Sequence, residues 1–293
     1  MGECKLCPRE CGADRENGEI GFCGAGSEIK TARCAPHFWE EPPISGERGS
    51  GAVFFSGCPL KCVFCQNREI SHGGLGKTVS DSELEKMIFG LAEKGVHNIN
   101  FVTPTHYTDR IAKILKKIKP ELGIPIVWNC GGYEKEETLD LLEGLVDIYL
   151  PDFKYFDPEL ASAYSKALNY KDIATRAIKK MFSQVGKVEL NADGMMAKGM
   201  IVRHLVLPGC RKDSIRALEL LSKILPPDKI YLSLMSQYTP EFALDCEYKN
   251  LHRRITSFEY NSVAERAREL GFIGFMQERA SAVADFTPDF SGE

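Results

Sequence analysis

Three cysteines share one short stretch, Cys58-Pro59-Leu60-Lys61-Cys62-Val63-Phe64-Cys65, in the spacing C-x3-C-x2-C. Three thiolates on so tight a loop can hold three irons of a 4Fe-4S cubane and leave the fourth iron without a protein ligand. An open coordination position is a reactive one, as it is for catalytic zinc. The alternative is a structural zinc loop, which would need a fourth ligand that this stretch does not offer. A second set, Cys4, Cys7, Cys11 and Cys23, has the spacing C-x2-C-x3-C-x11-C. Four thiolates close a coordination shell, so this set should be structural or electron-carrying. Zinc and a second 4Fe-4S cluster both suit it, and the Cys7-Pro8 step leans towards iron-sulfur. Cys34 is a spare ligand, while Cys130, Cys210 and Cys246 stand alone and read as buried thiols.

The chain has 11 cysteines, an odd number with most of them before residue 66, which argues against a disulfide scaffold. Other groups with chemical potential follow. Asp152-Phe153-Lys154-Tyr155-Phe156-Asp157 places two carboxylates around an amine, although Asp157, just before Pro158, can equally cap a helix. Arg203 lies in an apolar run, Met200 to Leu207, where a guanidinium requires a carboxylate partner such as Asp152 or Asp157. His204 has the opposite strand parity and should pack under a helix.

The elements that must position these groups alternate. The run Ala52-Val53-Phe54-Phe55 reads as a strand that leads into the cysteine loop. Ser80-Asp81-Ser82-Glu83 then has capping-box spacing ahead of Leu84, Met87, Ile88 and Leu91, one face of a helix. Strands are expected at 98–102, 125–129, 146–150, 200–207, 230–234 and 272–276, with helices between them, including 108–119 and 135–145. Repeated β-then-α units imply a parallel sheet, and six or more of them suit a partial (β/α)6 TIM-like barrel. Residues 1–49, rich in Cys, Gly and Pro, should form an irregular Cys-rich extension, and residues 50–293 the barrel with its carboxy-terminal elements. The segment 37–43, ending in Pro42-Pro43, should be an extended connector.

The chain's 293 residues, 43% hydrophobic and 27% charged, describe a folded α/β protein rather than a disordered one. A net charge of −4 provides no field that would gather nucleic acid, which is therefore disfavoured as a partner. The first residues carry no basic or apolar leader and no apolar run approaches ~18 residues, so a cytoplasmic protein without a membrane partner is expected.

The cysteine loop resembles the signature of the radical S-adenosylmethionine (SAM) enzymes, with Phe64 in the aromatic position before the last cysteine. Over about residues 50–280 the chain is similar to the pyruvate formate-lyase activating enzymes, whose Cys-x-Asn continuation it shares in Cys65-Gln66-Asn67. It is closer to a largely uncharacterised branch of that group through residues 37–43, Val102-Thr103-Pro104-Thr105-His106 and Trp128-Asn129-Cys130-Gly131-Gly132-Tyr133. The resemblance implies an oxidoreductase in which the open iron chelates SAM. Reductive cleavage then yields a 5′-deoxyadenosyl radical that takes a hydrogen atom from the substrate.

It further implies that Asp152, Lys154 and Arg203 lie near SAM, with a monovalent cation near Asp152 and Asp157; Asn129, at the exit of the third strand, is a further candidate by position alone, with no motif that requires it. Where most relatives have Gly-Gly-Glu, the backbone of Thr103 and Pro104 can offer the same carbonyls, while His106 faces substrate or caps a helix. Gln237 or Tyr238 stands where relatives carry a histidine-bearing segment. The implied partners are a glycyl radical enzyme or another peptide substrate and a flavodoxin- or ferredoxin-type reductant. The alternatives are modification of RNA or a small molecule, or an electron-transfer protein without turnover.

Overall fold

The computed structural model describes residues 3–276 and Phe290. Its first regular element is β1 (Ile29–His37), a strand inside the stretch expected to be irregular. Only Ile29 and Thr31 of this strand are buried, so its sequence carries no apolar alternation. What holds it is antiparallel pairing with β2 (Ser50–Phe55) on one side and with β3 (Lys77–Val79) on the other. Between β1 and β2 the connector closes into a single turn, α1 (Pro42–Ser45), which starts with proline in its first positions, where a missing N–H is harmless.

After β2 come the cysteine loop and α2 (Arg68–Ser71), then β3 and α3 (Asp81–Glu93). The capping box at Ser80 forms as its spacing predicts, with the Ser80 side chain accepting from Glu83 N and Glu83 returning to the Ser80 backbone. The alternation continues through β4 (Ile99–Val102), α4 (Thr108–Leu122), β5 (Ile126–Cys130), α5 (Glu136–Asp140) and β6 (Ile148–Pro151). α5 is shorter than the helix expected over 135–145, since turns and Gly144 at φ 73° carry the chain into β6. Two helices follow, α6 (Pro158–Ser165) and α7 (Tyr170–Val185), and then the hairpin of β7 (Glu189–Leu190) with β8 (Met196–Leu205). α8 (Arg211–Ile224), β9 (Tyr231–Met235), α9 (Ser257–Glu269) and β10 (Ile273–Met276) complete the described chain.

The sheet order is β10-β9-β8-β6-β5-β4-β2-β1-β3, and every pairing from β2 through to β10 along this path is parallel. The result is a partial barrel, open between its edges, with helices outside. Residues of one parity form the row Val53, Phe101, Trp128, Tyr149 and Met200, all buried against the helices. The other parity points into the barrel. There Val127, Ile148, Leu150 and Ile201 pack on Ile44 of α1, so the connector plugs the amino-terminal mouth of the barrel. Asn98 Nδ2 fixes that plug by donating to the Ile44 carbonyl at 2.8 Å. Above this apolar layer the inward residues turn polar.

Candidate active site

A cleft of about 700 Å³ opens at the carboxyl ends of the parallel strands. That is the end where loops of a β/α barrel assemble its chemistry. Cys58, Cys62 and Cys65 line it together, on the loop that leaves β2. Each sulfur is placed by a different neighbour. Leu60 N donates to Cys58 Sγ at 3.4 Å, Ser165 Oγ stands 2.9 Å from Cys62 Sγ, and Ser71 Oγ is 3.3 Å from Cys65 Sγ. Burial, and then the neighbouring thiols, push Cys58 and Cys65 up, while Lys154 opposes the shift. Soft ligands must lose these protons to bind iron, and a lysine beside the loop favours that state.

Across the cleft lies a layer of charge. Asp152 accepts Lys154 Nζ at 2.6 Å on one oxygen and Arg203 Nε at 3.0 Å on the other. Arg203 also reaches Asn129 Oδ1 at 2.5 Å and Glu40 Oε2 at 3.4 Å, and Glu40 Oε1 accepts from Asn100 and Asn129. Burial alone would raise the Asp152 carboxyl, but Lys154 and Arg203 overcome it and hold the group below its ordinary value. Arg203 therefore has the carboxylate partner its strand position demands, and a second one in Glu40 that sequence reasoning did not place. The signal was present: a buried guanidinium needs more than one acceptor, and the connector carries two adjacent carboxylates. The second, Glu41, is buried and lines the cleft. Its carboxyl is raised, by burial first.

The loops are locked beneath this layer. Tyr170 Oη accepts the Lys154 amide at 2.9 Å and lies 2.9 Å from the carbonyls of Gly131 and Asp152. Gly132, at φ 74°, has no room for a Cβ, which would fall 2.1 Å from the Asp152 carbonyl oxygen. Cys130 lines the same cleft, but its thiol meets Glu134, whose carboxyl burial raises to about 8 against hydrogen bonds from Thr105 and Cys130.

Of the residues expected at the cofactor, Phe64, Asn67, Thr103, Asn129, Asp152, Lys154, Arg203 and Gln237 all line the cleft. Thr103 does so at φ 57°, a left-handed conformation rare for a β-branched residue, and its amide donates to the Asn129 carbonyl at 2.8 Å. A glycine would take that conformation freely, whereas Thr103 is held in it.

Three expected residues lie outside. Pro104 is buried and does not line the cleft. His106 is fully buried below the loop, with Nε2 2.7 Å from the Ser56 carbonyl, and burial pushes its pKa down to about 3. It supports the loop, and neither caps α4 nor faces the cleft. Tyr238 is turned inward, its hydroxyl donating to the Leu251 carbonyl and its ring edge-on to Phe64 at 6.1 Å. Nor do Asp152 and Asp157 meet. Asp157 caps α6, accepting from Glu159 N at 2.8 Å, and the Asp152 oxygens are taken by Lys154 and Arg203. Each carboxylate is thus engaged by partners of its own. His204 is buried, with Nδ1 2.6 Å from the Phe153 carbonyl.

The amino-terminal cysteines pack against the same loop. Cys7 and Cys23 are buried, Cys4 is half-buried and Cys11 is exposed. The thiols of this set are free and sense one another: Cys4 and Cys11 share a hydrogen bond, and both act on Cys23. Cys34 lies apart on β1, with its sulfur 3.9 Å from the Met87 carbonyl of α3. Among the described residues no three His, Cys, Asp or Glu side chains converge as the ligands of a single metal ion.

The radical SAM superfamily profile matches residues 52–209, the stretch from β2 through the cysteine loop to just beyond β8. The chain belongs to the radical SAM superfamily. A relative, an uncharacterised protein of Methanocaldococcus jannaschii, is 33% identical over 281 residues, covering 91% of this chain and 74% of that protein. Among solved structures, the Streptococcus suis protein SuiB, bound to its precursor peptide SuiA, matches with a TM-score of 0.51 at 16% identity. The match covers 77% of this radical SAM chain and 48% of SuiB, and the likeness is one of fold. A domain of the pyruvate-formate lyase-activating enzyme from Bacteroides vulgatus matches at 15% identity and a TM-score of 0.45, covering 61% of this chain and 98% of that domain. The radical SAM fold requires a 4Fe-4S cluster and SAM, and the residues present suit both. Three thiols converge on the cleft, and Asn67 Oδ1 and Glu41 Oε2 lie along it as buried acceptors without a partner among the described residues. No described helix is long and apolar enough to cross a membrane.

Proposed function

We propose that this radical SAM protein abstracts a hydrogen atom from a carbon of a peptide substrate, and that the substrate is a glycine of a glycyl radical enzyme. When bound, the reduced cluster and SAM supply a 5′-deoxyadenosyl radical and methionine. The protein's own residues do the rest. Cys58, Cys62 and Cys65 would hold the cluster with one iron open. The Thr103 carbonyl, presented by its left-handed backbone, would receive the SAM ammonium, and Asp152, Lys154, Asn129 and Arg203 would position its polar groups.

Lys154 and Arg203 enter this layer already matched by Asp152 and Glu40, so their charges are oriented before ligand arrives. The apolar wall of Phe54, Ile70, Val102 and Phe275 excludes water, which a carbon radical requires. The observation that carries the reading is the set of three thiols facing the charged layer across one cleft. The glycyl substrate is supported by the motifs Cys65-Gln66-Asn67 and Asp152-Phe153-Lys154-Tyr155-Phe156-Asp157, which resemble those of the activating enzymes. The formal charge of −4 and pI of about 6.0 weigh against RNA.

The test is anaerobic loading with iron and sulfide, reduction with dithionite, and addition of SAM. Wild-type protein should form 5′-deoxyadenosine and Cys62→Ala should not. Formation undiminished by that change would remove the assignment. For the substrate, a glycyl peptide deuterated at Cα should transfer deuterium into the 5′-deoxyadenosine. Deuterium-free product in the presence of a bound peptide would favour another hydrogen donor.

A further inference from the structure

The amino-terminal cysteines are joined to the active-site loop by direct contacts. The Cys58 amide donates to the Cys23 carbonyl at 3.0 Å. Gly57 permits that approach: it sits at φ 91°, and a Cβ there would fall 2.7 Å from the Cys23 carbonyl oxygen. Two arginines from the same segment brace the junction. Arg9 donates to the Pro59 carbonyl at 2.8 Å and to the Ser165 carbonyl at 3.1 Å, and Ser165 Oγ in turn touches Cys62 Sγ. Arg15 donates to Cys23 Sγ at 3.2 Å and to the His106 carbonyl at 2.7 Å, and His106 holds the Ser56 carbonyl at the base of the cysteine loop.

The segment is also polarised. Its exposed thiol, Cys11, lies on the solvent side, and buried Cys23 is the residue that meets Cys58.

We propose that Cys4, Cys7, Cys11 and Cys23 hold a 4Fe-4S cluster that receives single electrons from a ferredoxin-type carrier at its Cys11 side. It passes them to the active-site cluster through the Cys23–Cys58 hydrogen bond. The proposal rests on the radical SAM reading of the active site and adds the route by which that site is reduced.

Zinc has one accessible oxidation state, so a zinc site would leave the link to Cys58 without a role in electron supply. Four thiolates leave no open iron, which suits a centre that exchanges electrons and binds no substrate. The Arg15 hydrogen bond to Cys23 Sγ stabilises the more negative reduced state, as hydrogen bonds to cluster sulfurs do. The balance is simple. The carrier is oxidised by one electron, the outer cluster accepts and releases it, and the active-site cluster is reduced by one. No bond forms or breaks along the way.

The test uses full-length protein loaded anaerobically in the presence of iron, sulfide and equimolar zinc. Wild-type protein should retain about eight irons and about eight sulfides per chain, as two cubanes require, and no stoichiometric zinc. After full reduction, electron paramagnetic resonance should show two centres close enough to split or broaden each other's signals. Cys11→Ser should halve the iron, leave one unsplit signal, and lose stopped-flow reduction of the active-site cluster by reduced ferredoxin.

A wild-type chain that retains four irons and one zinc would overturn the proposal, as would two clusters whose signals do not interact. The wild-type measurements decide this even should Cys11→Ser not fold. Failure of the active-site reading looks different: both clusters load and interact, yet dithionite and SAM yield no 5′-deoxyadenosine.

Discussion

Asp152 is held between Lys154 and Arg203, and all three side chains are largely buried. Removing its charge strands two cations in the barrel, so Asp152→Asn should destabilise the protein by about 3–5 kcal/mol at neutral pH, measured by urea unfolding. Because the folded carboxyl lies below its ordinary value, this contribution is complete above the unfolded pKa and is lost as pH falls through the folded one. The gap between wild type and variant should therefore narrow below about pH 4.

Glu134 behaves in the opposite sense. Its carboxyl is raised to about 8 in the fold, so the folded state keeps a proton that the unfolded chain releases near ~4.3. Stability should fall as pH rises from about 4.3 to about 8, and Glu134→Gln should flatten that slope in unfolding curves taken across the range. A wild-type slope unchanged by the substitution would show that Glu134 is not the titrating group. Neither residue's state was legible from spacing. Asp152 belonged to a recognisable motif, but Glu134 follows the strand without any neighbour in sequence that announces burial.

At the scale of elements, α3 shows what local sequence can specify. Ser80 and Glu83 satisfy each other's backbone amides, and Leu84, Ile88 and Leu91 form its buried face. Ser80→Ala should lower stability by about 1 kcal/mol, read as a shift in thermal midpoint, without altering the loaded active site. The α4 helix was equally legible, with Ile111, Ile114, Leu115 and Ile118 inward and its lysines outward. β1 was not, because a strand held by neighbours on both edges needs no apolar alternation of its own. α1 was read as a connector for a similar reason. Its single turn is stabilised by what it plugs, through Ile44 and the Asn98 hydrogen bond, rather than by propensity.

For the whole molecule, the cysteine loop is anchored from below by the barrel and from outside by the amino-terminal segment. That segment has little apolar core, so ligation should contribute to its folding. Stripping iron with a chelator under anaerobic reducing conditions should lower the melting temperature by about 5–10 °C, and amide exchange should rise first across residues 4–24. An unchanged melting temperature would mean that side-chain contacts such as those of Arg9 and Arg15 suffice.

The sequence by itself determined the chemistry and the repeating units. Thiolate spacing is a local property, and so are the helix caps and the period of buried residues. It also determined that Arg203 had to find a carboxylate, because burial of an unpaired guanidinium is prohibitive. Only the tertiary structure decided which carboxylates answered. It put Asp152 and Glu40 at Arg203 while leaving Asp157 to cap a helix, turned His106 and Tyr238 away from the cleft, and brought Cys23 against Cys58. Those outcomes depend on which groups lie opposite one another once β1 and the cysteine segment have folded onto the barrel, and contacts between distant residues leave no period in a single chain.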